Sequence, residues 1–273
     1  VRRREDGYHE VRMIMQTIHL YDLLEIQKIR EPEIQIVSNL SFLPVNENNL
    51  VYKAARLLQE EFALTDGISV KLTKRIPVAA GMAGGSPDAA AMLYAMNQLY
   101  DLGLSRRELM KRGVQIGADV PYCLMRGTAL AEGIGEKLTQ LPPMIKCPVL
   151  IAKPSISVST KFVYQNLKLD EQTNHPDIDA LMKDIREKDF DGVCAHMGNV
   201  LESVTIPNYP VIAEIKQQMM RSGAKASMMS GSGPTVFGLF EDGETAKRAL
   251  REMKRSGLAK QVYLTTIYNN RRK

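Results

Sequence analysis

The segment KRIPVAAGMAGGSPDAAA, residues 74–91, is the most informative part of this chain. It joins a loop of glycine and alanine to an apolar segment in which Asp88 falls in the first turn of an expected helix. Small side chains let a ligand approach the backbone, and a helix N-terminus presents unpaired N–H groups and the positive end of its dipole. The pattern predicts a phosphate-binding loop, with Ser86 as N-cap and Pro87 at the first helical position.

Three better-known motifs do not fit this loop. A P-loop would close its glycine run with Lys-Ser or Lys-Thr, which the sequence GGSP at 84–87 lacks. The glycines also miss the spacing of the dinucleotide fingerprint, and Ser86 is not followed by the x-Gly of a nucleophile elbow. A plain structural turn remains the alternative, but the length of the loop and its junction with a helix favour phosphate binding.

The composition is typical of a soluble globular protein of one or two domains. The chain has 273 residues, of which 44% are hydrophobic and 25% charged, and its net charge of +5 is spread along the sequence rather than clustered as in nucleic-acid-binding proteins. The scattered Cys123, Cys147 and Cys194 indicate reduced thiols in the cytoplasm. We find no apolar run long enough to span a membrane and no signal-peptide pattern.

Apolar periodicity predicts the elements of the first half of the chain. Ser105 with Glu108 three residues later forms a capping box that starts a helix. Other helices are expected from Leu50 and from Pro87 to Tyr100, the latter with an apolar stripe of Ala89, Met92, Leu93, Met96 and Leu99. Strands are expected at 11–20, 22–29, 33–38 and 67–73.

A different pattern begins near residue 148, where we place a domain boundary. The second half predicts strands at 147–152, 226–229, 235–240 and 260–266, helices at 160–166 and 244–255, and helical segments through 176–221. This strand–helix–strand–strand–helix–strand order predicts a ferredoxin-like α+β sandwich with inserted helices.

Three further segments carry candidate chemistry. Asp119 lies among small and apolar residues; a turn or cap aspartate is the alternative, but the phosphate loop upstream favours a proton-accepting role. The segment SGSGPT, residues 230–235, is either a hairpin connection or a second anion-binding nest. Tyr8 and His9 have the chemistry to contact a nucleotide base. The histidines show no metal-ligand spacing.

Together these segments resemble the GHMP kinase superfamily. The matching segments are EDGYHE at 5–10, PVAAGMAGGSPD at 77–88, GADVP at 117–121, SVST at 157–160 and MSGSGPTVFG at 229–238, in the superfamily's order. The glycine motif is shared by homoserine, mevalonate and galactose kinases, whereas DGYH resembles the members that act on a cytidine diphosphate conjugate. The resemblance implies a two-lobed α+β fold, with a ribosomal-protein-like ATP-binding lobe at 1–148 and a ferredoxin-like lobe at 149–273.

The resemblance also implies roles for individual residues. Asp119 matches the catalytic base. The residues that match the cytidine diphosphate site are Tyr8, His9, Thr160 and Tyr164, and those that match positions near the adenine are Asn49, Leu50 and Lys74. The loop that would surround the ATP phosphates consists of Pro77, Val78, Ala79, Ala80, Gly81, Met82, Ala83, Gly84, Gly85, Ser86 and Pro87.

The implied reaction transfers the γ-phosphate of ATP, with Mg²⁺, to the 2-hydroxyl of the methylerythritol moiety of a cytidine diphosphate conjugate, a step of non-mevalonate isoprenoid synthesis. This small molecule is the expected partner, and no nucleic acid or membrane is expected. Magnesium ligands and oligomeric state are not predicted. Two positions depart from the pattern: Pro87 replaces a second serine, and the superfamily's catalytic lysine would precede Val1, so we expect the chain to continue upstream.

Two alternative functions remain open at this point. A related small-molecule kinase would share the glycine loop and Asp119 but would not need Tyr8 and His9. A non-catalytic module that binds RNA is a second alternative, because the first lobe resembles a fold that is also found in ribosomal proteins. The mild and scattered charge disfavours the RNA-binding alternative.

Overall fold

The computed structural model describes residues 2–3, 9–169, 173 and 175–270. Tyr8 therefore lies outside the described residues. The strands are β1 (Arg2–Arg3), β2 (His9–Gln16), β3 (Leu23–Ile29), β4 (Ile34–Ser38), β5 (Gly67–Thr73), β6 (Thr128–Gly133), β7 (Lys137–Gln140), β8 (Pro148–Lys153), β9 (Ala226–Met229), β10 (Val236–Leu239) and β11 (Gln261–Thr266). The helices are α1 (Leu50–Glu61), α2 (Ser86–Leu99), α3 (Arg106–Ile116), α4 (Val120–Met125), α5 (Thr160–Asn166), α6 (Ile178–Glu187), α7 (Phe190–His196), α8 (Glu202–Asn208), α9 (Val211–Arg221) and α10 (Gly243–Ser256).

The chain forms two compact units. One contains residues up to 19, residues 79–82 and residues from 127 onward, and the other contains residues 20–78 and 83–126. This grouping differs from a single boundary near residue 148, because β2 near the N-terminus pairs along its length with β6. The boundary at residue 148 stays a prediction about the two lobes.

The unit that includes the C-terminal half contains the ferredoxin-like sheet predicted from the sequence. Its strand order is β11-β8-β10-β9 and every pairing is antiparallel. Helix α9 packs against β9 and β10, and α10 packs against β8 and β11. The apolar side chains between these helices and the sheet include fully buried Leu150, Ile215, Met219 and Phe240. A second sheet of the same unit has the order β1-β2-β6-β7.

The other unit is built on a three-stranded sheet of order β3-β5-β4, covered by α1 and α2. The predicted apolar stripe of α2 is buried at Met92, Leu93 and Met96, which hold the helix against α1 and the sheet. Leu99, the last residue of the helix, is instead 36% exposed. The glycine loop therefore leads into a helix that is fixed by its own core contacts.

Sequence patterns located most of these elements and missed a few. The predicted strand at 67–73 and the capping box of Ser105 and Glu108 are confirmed. The expected N-cap role of Ser86 is wrong: α2 begins at Ser86 itself, Gly85 occupies the N-cap position, and no side chain caps the helix. The strand expected at 11–20 ends at Gln16, and β6, β7 and α4 were not predicted because their short runs lack a clear period.

Among the described residues, we find no helix with the length and apolar character needed to cross a membrane.

Helix α2 offers a direct test of this packing. Leu93 is fully buried and its neighbour Tyr94 is 55% exposed. We expect Leu93→Ala to lower the free energy of unfolding by about 2–5 kcal/mol, since it removes buried methyl groups and leaves a cavity. Tyr94→Ala is the matched control on the same helix and should change stability by no more than about 0.5 kcal/mol. If chemical denaturation showed that both variants lose the same free energy of unfolding, the buried position of this face of α2 would be contradicted.

Candidate active site

The backbone of the glycine loop has an unusual conformation. Ala79, Gly81 and Ala83 have φ values of 51°, 68° and 51°, and they alternate with residues of negative φ. Left-handed φ is uncommon for alanine, and alternating conformations of this kind turn successive N–H groups toward one concave surface that suits an anion. Within the described part of the chain, the amides of residues 81–85 donate no hydrogen bond. The loop thus presents a row of available donors.

The middle of the loop is held by the segment 230–235. The hydroxyl of Ser230 donates to the carbonyl oxygen of Gly81 at 2.8 Å. A side chain at position 81 would bring its Cβ within 2.3 Å of the Ser230 carbonyl oxygen, so glycine is required there for space as well as for its positive φ. The β9–β10 connection is therefore both a hairpin and a support for the glycine loop.

The end of the loop is held by a buried ion cluster of Lys74, Asp22 and Asp88. The Lys74 Nζ donates to the carbonyl oxygen of Gly84 at 2.6 Å, to Asp88 Oδ2 at 2.7 Å and to Asp22 Oδ2. The side chains of Lys74, Asp22 and Asp88 are 3%, 2% and 5% exposed. Neither Asp22 nor this pairing was anticipated from the sequence, because the partners are far apart in the chain and no local motif links them.

The cluster places two carboxyl groups against one ammonium group. Burial, as the largest cause, and the nearby Asp22 carboxyl together raise the pKa of Asp88 to about 7, against the opposing effect of Lys74. A second buried negative charge is costly when one cation serves both acids, so Asp88 accepts a proton near neutral pH.

The residues expected near the adenine are Asn49, Leu50 and Lys74. All three belong to the unit of residues 20–78 and 83–126, which also contains the end of the glycine loop. Leu50 contacts the loop, since a Cβ added at Gly85 would lie 3.3 Å from its Cδ1. Asn49 caps α1 by accepting from the Val51 amide at 2.9 Å, and its side-chain nitrogen donates to the carbonyl of Pro44. The backbone N–H and C=O of Lys74 both bond to the side chain of Asn39. The polar groups of Asn49 and Lys74 are thus engaged within the chain.

Asp119 occupies the N-cap position of α4 without capping it. A close approach of α3 and α4 places it there, since a Cβ added at Gly113 would lie 2.9 Å from Val120 Cγ1. A Cβ added at Gly117 would lie 4.0 Å from the hydroxyl oxygen of Ser86, so this turn lies beside the start of α2.

The Asp119 carboxyl group is half-buried, and burial raises its pKa. Among the described residues it has no ion-pair or hydrogen-bond partner. An unpaired carboxylate with a raised pKa, in a turn beside the start of α2, has the properties of a general base.

The residues expected to hold the second substrate lie in the unit that contains the ferredoxin-like sheet. The rings of His9 and Tyr164 are in contact, with centroids 5.1 Å apart and planes tilted by 40°. Thr160 lies at the start of the same helix as Tyr164, and its hydroxyl is 2.8 Å from that of Ser232. The structure therefore brings His9, Thr160 and Tyr164 into one region.

Sequence reasoning missed a residue that supports this region. The side-chain nitrogen of Asn199 donates to the carbonyl oxygens of Met229 at 2.9 Å and Gly231 at 2.8 Å, and so fixes the start of the 230–235 segment. No sequence signal marked Asn199, because it lies outside any motif.

In the part of the chain that the structure describes, protein side chains alone do not form a metal site. Within the described ranges, no three His, Cys, Asp or Glu side chains come together in a way that could hold a metal ion. Magnesium often binds through one or two carboxylates together with substrate phosphates, so this finding is compatible with an ion that arrives with a nucleotide.

Comparison with known families identifies the class of protein. The model of the GHMP kinases N terminal domain matches residues 49–127, and that of the GHMP kinases C terminal domain matches residues 181–259. The chain belongs to the GHMP kinases, which are phosphotransferases that use ATP as phosphoryl donor and an alcohol group as acceptor.

Two curated relatives carry the same name. The chain is 58% identical to the 4-diphosphocytidyl-2-C-methyl-D-erythritol kinase of Lachnospira eligens, over 97% of this chain and 92% of the relative. It is 54% identical to the enzyme of the same name from Lachnoclostridium phytofermentans, over 98% and 92% of the two chains.

Solved structures agree on the fold. A crystal structure of 4-(cytidine 5'-diphospho)-2C-methyl-D-erythritol kinase matches with a TM-score of 0.84 and 29% identity, covering 98% of this chain and 94% of that one. Homoserine kinase from Cytophaga hutchinsonii matches with a TM-score of 0.77 and 22% identity over 93% and 89% of the two chains, a likeness of fold.

The Asp88 carboxyl predicts a specific pH dependence of stability. Its folded-state pKa is about 7 against an ordinary 3.8, so the folded protein binds more protons than the unfolded chain between these values. The contribution of Asp88 to stability therefore falls as the pH rises through this window. We expect Asp88→Asn to raise the Tm, relative to the wild type, by more at about pH 8 than at about pH 5.

The exposed Asp101 supplies the control for this experiment. Asp101→Asn should shift the Tm little at either pH, and its left-handed backbone suits asparagine. A Tm difference for Asp88→Asn that is the same at both pH values would show that Asp88 has an ordinary pKa in the folded protein.

Proposed function

We propose that this chain transfers the γ-phosphate of ATP to the 2-hydroxyl group of 4-diphosphocytidyl-2-C-methyl-D-erythritol, in the non-mevalonate synthesis of isoprenoid precursors. The observation that carries the proposal is the unpaired, half-buried Asp119 carboxyl beside the start of α2, where the glycine loop ends with its amides available. The names of the most similar relatives support the choice of acceptor.

The loop from Pro77 to Pro87 is the proposed binding segment for the ATP phosphates. Its free amides and the N-terminus of α2 supply hydrogen bonds and the positive end of a dipole. Leu50, which contacts Gly85, is placed to pack against the adenine, with Asn49 fixing the start of its helix. Phosphoryl transfer proceeds mainly by such positioning and charge stabilisation, with little covalent chemistry by the protein.

Mg²⁺ is proposed as the ion that accompanies ATP, to neutralise charge on the phosphates. The described residues form no ready-made cage for it, which fits an ion held largely by the nucleotide. No residue of this chain is assigned as its ligand.

Asp119 is the proposed general base. It would accept the proton of the 2-hydroxyl as the oxygen attacks the γ-phosphorus. A base is most effective when its pKa approaches the working pH, and burial raises the pKa of Asp119 in that direction. Since no cation neutralises its carboxylate among the described residues, the negative charge remains available for the proton.

The cytidine diphosphate end of the acceptor is proposed to bind at His9, Thr160 and Tyr164. The contact of the two rings gives an aromatic surface for the base, and the hydroxyl of Thr160 offers a polar contact next to it. Tyr8 precedes His9 in the chain and is proposed to contribute a further ring.

The role of Asp119 is tested by Asp119→Asn. We expect kcat to fall by about two to four orders of magnitude, because the amide cannot accept the proton, while the affinity for ATP stays within a few-fold. Steady-state kinetics with both substrates varied would measure the two effects separately. Asp101→Asn is a matched control in the same unit and should leave kcat unchanged. Near-normal turnover by Asp119→Asn would remove Asp119 from the mechanism.

The cytidine site is tested by Tyr164→Ala. Stacking of a base on an aromatic ring is worth about 1–3 kcal/mol, so the KM for the cytidylylated acceptor should rise roughly tenfold to a hundredfold. The KM for ATP should change little, and Tyr164→Phe should be mild because it keeps the ring. Phe162→Ala, an exposed position on the same helix, is the control.

The acceptor itself is tested by comparing kcat/KM for the cytidylylated substrate with that for uncytidylylated methylerythritol 4-phosphate, mevalonate and homoserine. The proposal predicts a strong preference for the cytidylylated compound, which Tyr164→Ala should reduce. A preference for mevalonate or homoserine would instead assign the chain to a related GHMP kinase activity.

A further inference from the structure

We infer that Lys74, together with Asp22 and Asp88, is a positioning residue that acts on ATP through the Gly84–Gly85 peptide, and that its ammonium group does not contact the adenine. This inference rests on the proposed ATP site and specifies how the glycine loop is kept in its binding conformation.

The Lys74 ammonium group has no donor left for a ligand. A lysine ammonium group has three N–H donors and no acceptor. In this structure the three are used by Asp22, Gly84 and Asp88. The backbone N–H and C=O of Lys74 are bonded to Asn39, so the polar groups of the residue are all engaged. Only the alkyl stem of Lys74 is left for a ligand.

The ion cluster joins three separate segments of the chain. Lys74 follows β5, Asp22 precedes β3, and Asp88 lies in the first turn of α2. The Oδ1 of Asp22 also accepts from the amides of Arg75 and Ile76. The cluster therefore ties together the residues that enter the glycine loop and the residues that leave it.

Lys74 also sets the direction of one loop amide. The peptide group is planar and trans, so the N–H of residue 85 points opposite to the C=O of residue 84. Because Lys74 holds the Gly84 carbonyl oxygen, the Gly85 N–H must point away from the cluster. That N–H has no acceptor within the described chain. Lys74 thus fixes the orientation of a donor that the proposed function assigns to phosphate.

If Lys74 acts through the Gly84–Gly85 peptide, its loss should weaken binding of the ATP phosphates and leave binding of adenosine unchanged. In Lys74→Met, the Gly84 carbonyl loses its partner, and we expect the Kd for ATP to rise about tenfold to a hundredfold, the scale of one lost hydrogen bond to a charged group such as phosphate. The Kd for adenosine should stay within about twofold. Both constants would be measured by competition against a fluorescent nucleotide, on protein whose Tm has been checked.

A second variant guards against misfolding, since Lys74→Met leaves two buried carboxyl groups without their cation. Asp22→Asn keeps one side-chain oxygen, which can still accept from the amides of Arg75 and Ile76. Its other polar group is an NH₂, which cannot accept a hydrogen bond from the Lys74 ammonium group. It should show the same selective loss of ATP binding, to a smaller extent. Arg112→Met removes the ion pair with Glu61 in the same unit, away from the loop, and should alter the Tm without altering either Kd.

Two results would overturn the inference. Equal losses of ATP and adenosine affinity in Lys74→Met would show a direct contact with the nucleoside. Unchanged ATP affinity in both Lys74→Met and Asp22→Asn would show that the cluster serves stability alone. Because the readout is binding, a wild-type chain that binds ATP but fails to phosphorylate the cytidylylated acceptor would refute the proposed acceptor and leave this test valid.

Discussion

The hydrogen bond from the Lys74 ammonium group to the Gly84 carbonyl is the constraint on which the candidate site depends. A loop of glycine and alanine has few side-chain contacts and much conformational freedom, so its shape must come from what holds its carbonyl groups. At Gly81 that partner is the Ser230 hydroxyl, and at Gly84 it is the buried lysine. Both bonds occupy a carbonyl oxygen and leave the following amide free. The loop is thereby ordered without using the donors that an anion would need.

The acidic residues near the loop differ in whether a cation lies beside their carboxyl groups. Asp22 and Asp88 are almost fully buried and share one ammonium group, which makes them part of the support. Asp119 is half-buried and has no partner among the described residues, which leaves its carboxylate available for the proposed proton transfer. The two environments are found in the same unit, and the differing access to a cation sets the chemistry of each carboxyl group.

The sequence predicts those features that depend on neighbouring residues. The glycine loop before α2, the apolar stripe of α2 apart from Leu99, the capping box at Ser105 and the ferredoxin-like order of elements follow from local patterns and are present. The ion cluster could not be predicted, because Asp22 lies 52 residues before Lys74 and meets it only after β3 pairs with β5. The same holds for Ser230, which reaches Gly81 across 149 residues. Asp119 could be named from its motif, but its lack of a partner required the structure.

The most direct test of the account is whether the loop amides bind phosphate. Selective ¹⁵N-glycine labelling gives signals from the chain's 19 glycines, which include Gly81, Gly84 and Gly85. We expect addition of ATP to move the amide resonances of these three strongly and adenosine to move them little, while Gly103 and Gly257, which lie in open space, stay in place. ATP binding that leaves the three loop amides unmoved would contradict the assignment of this loop as the phosphate site.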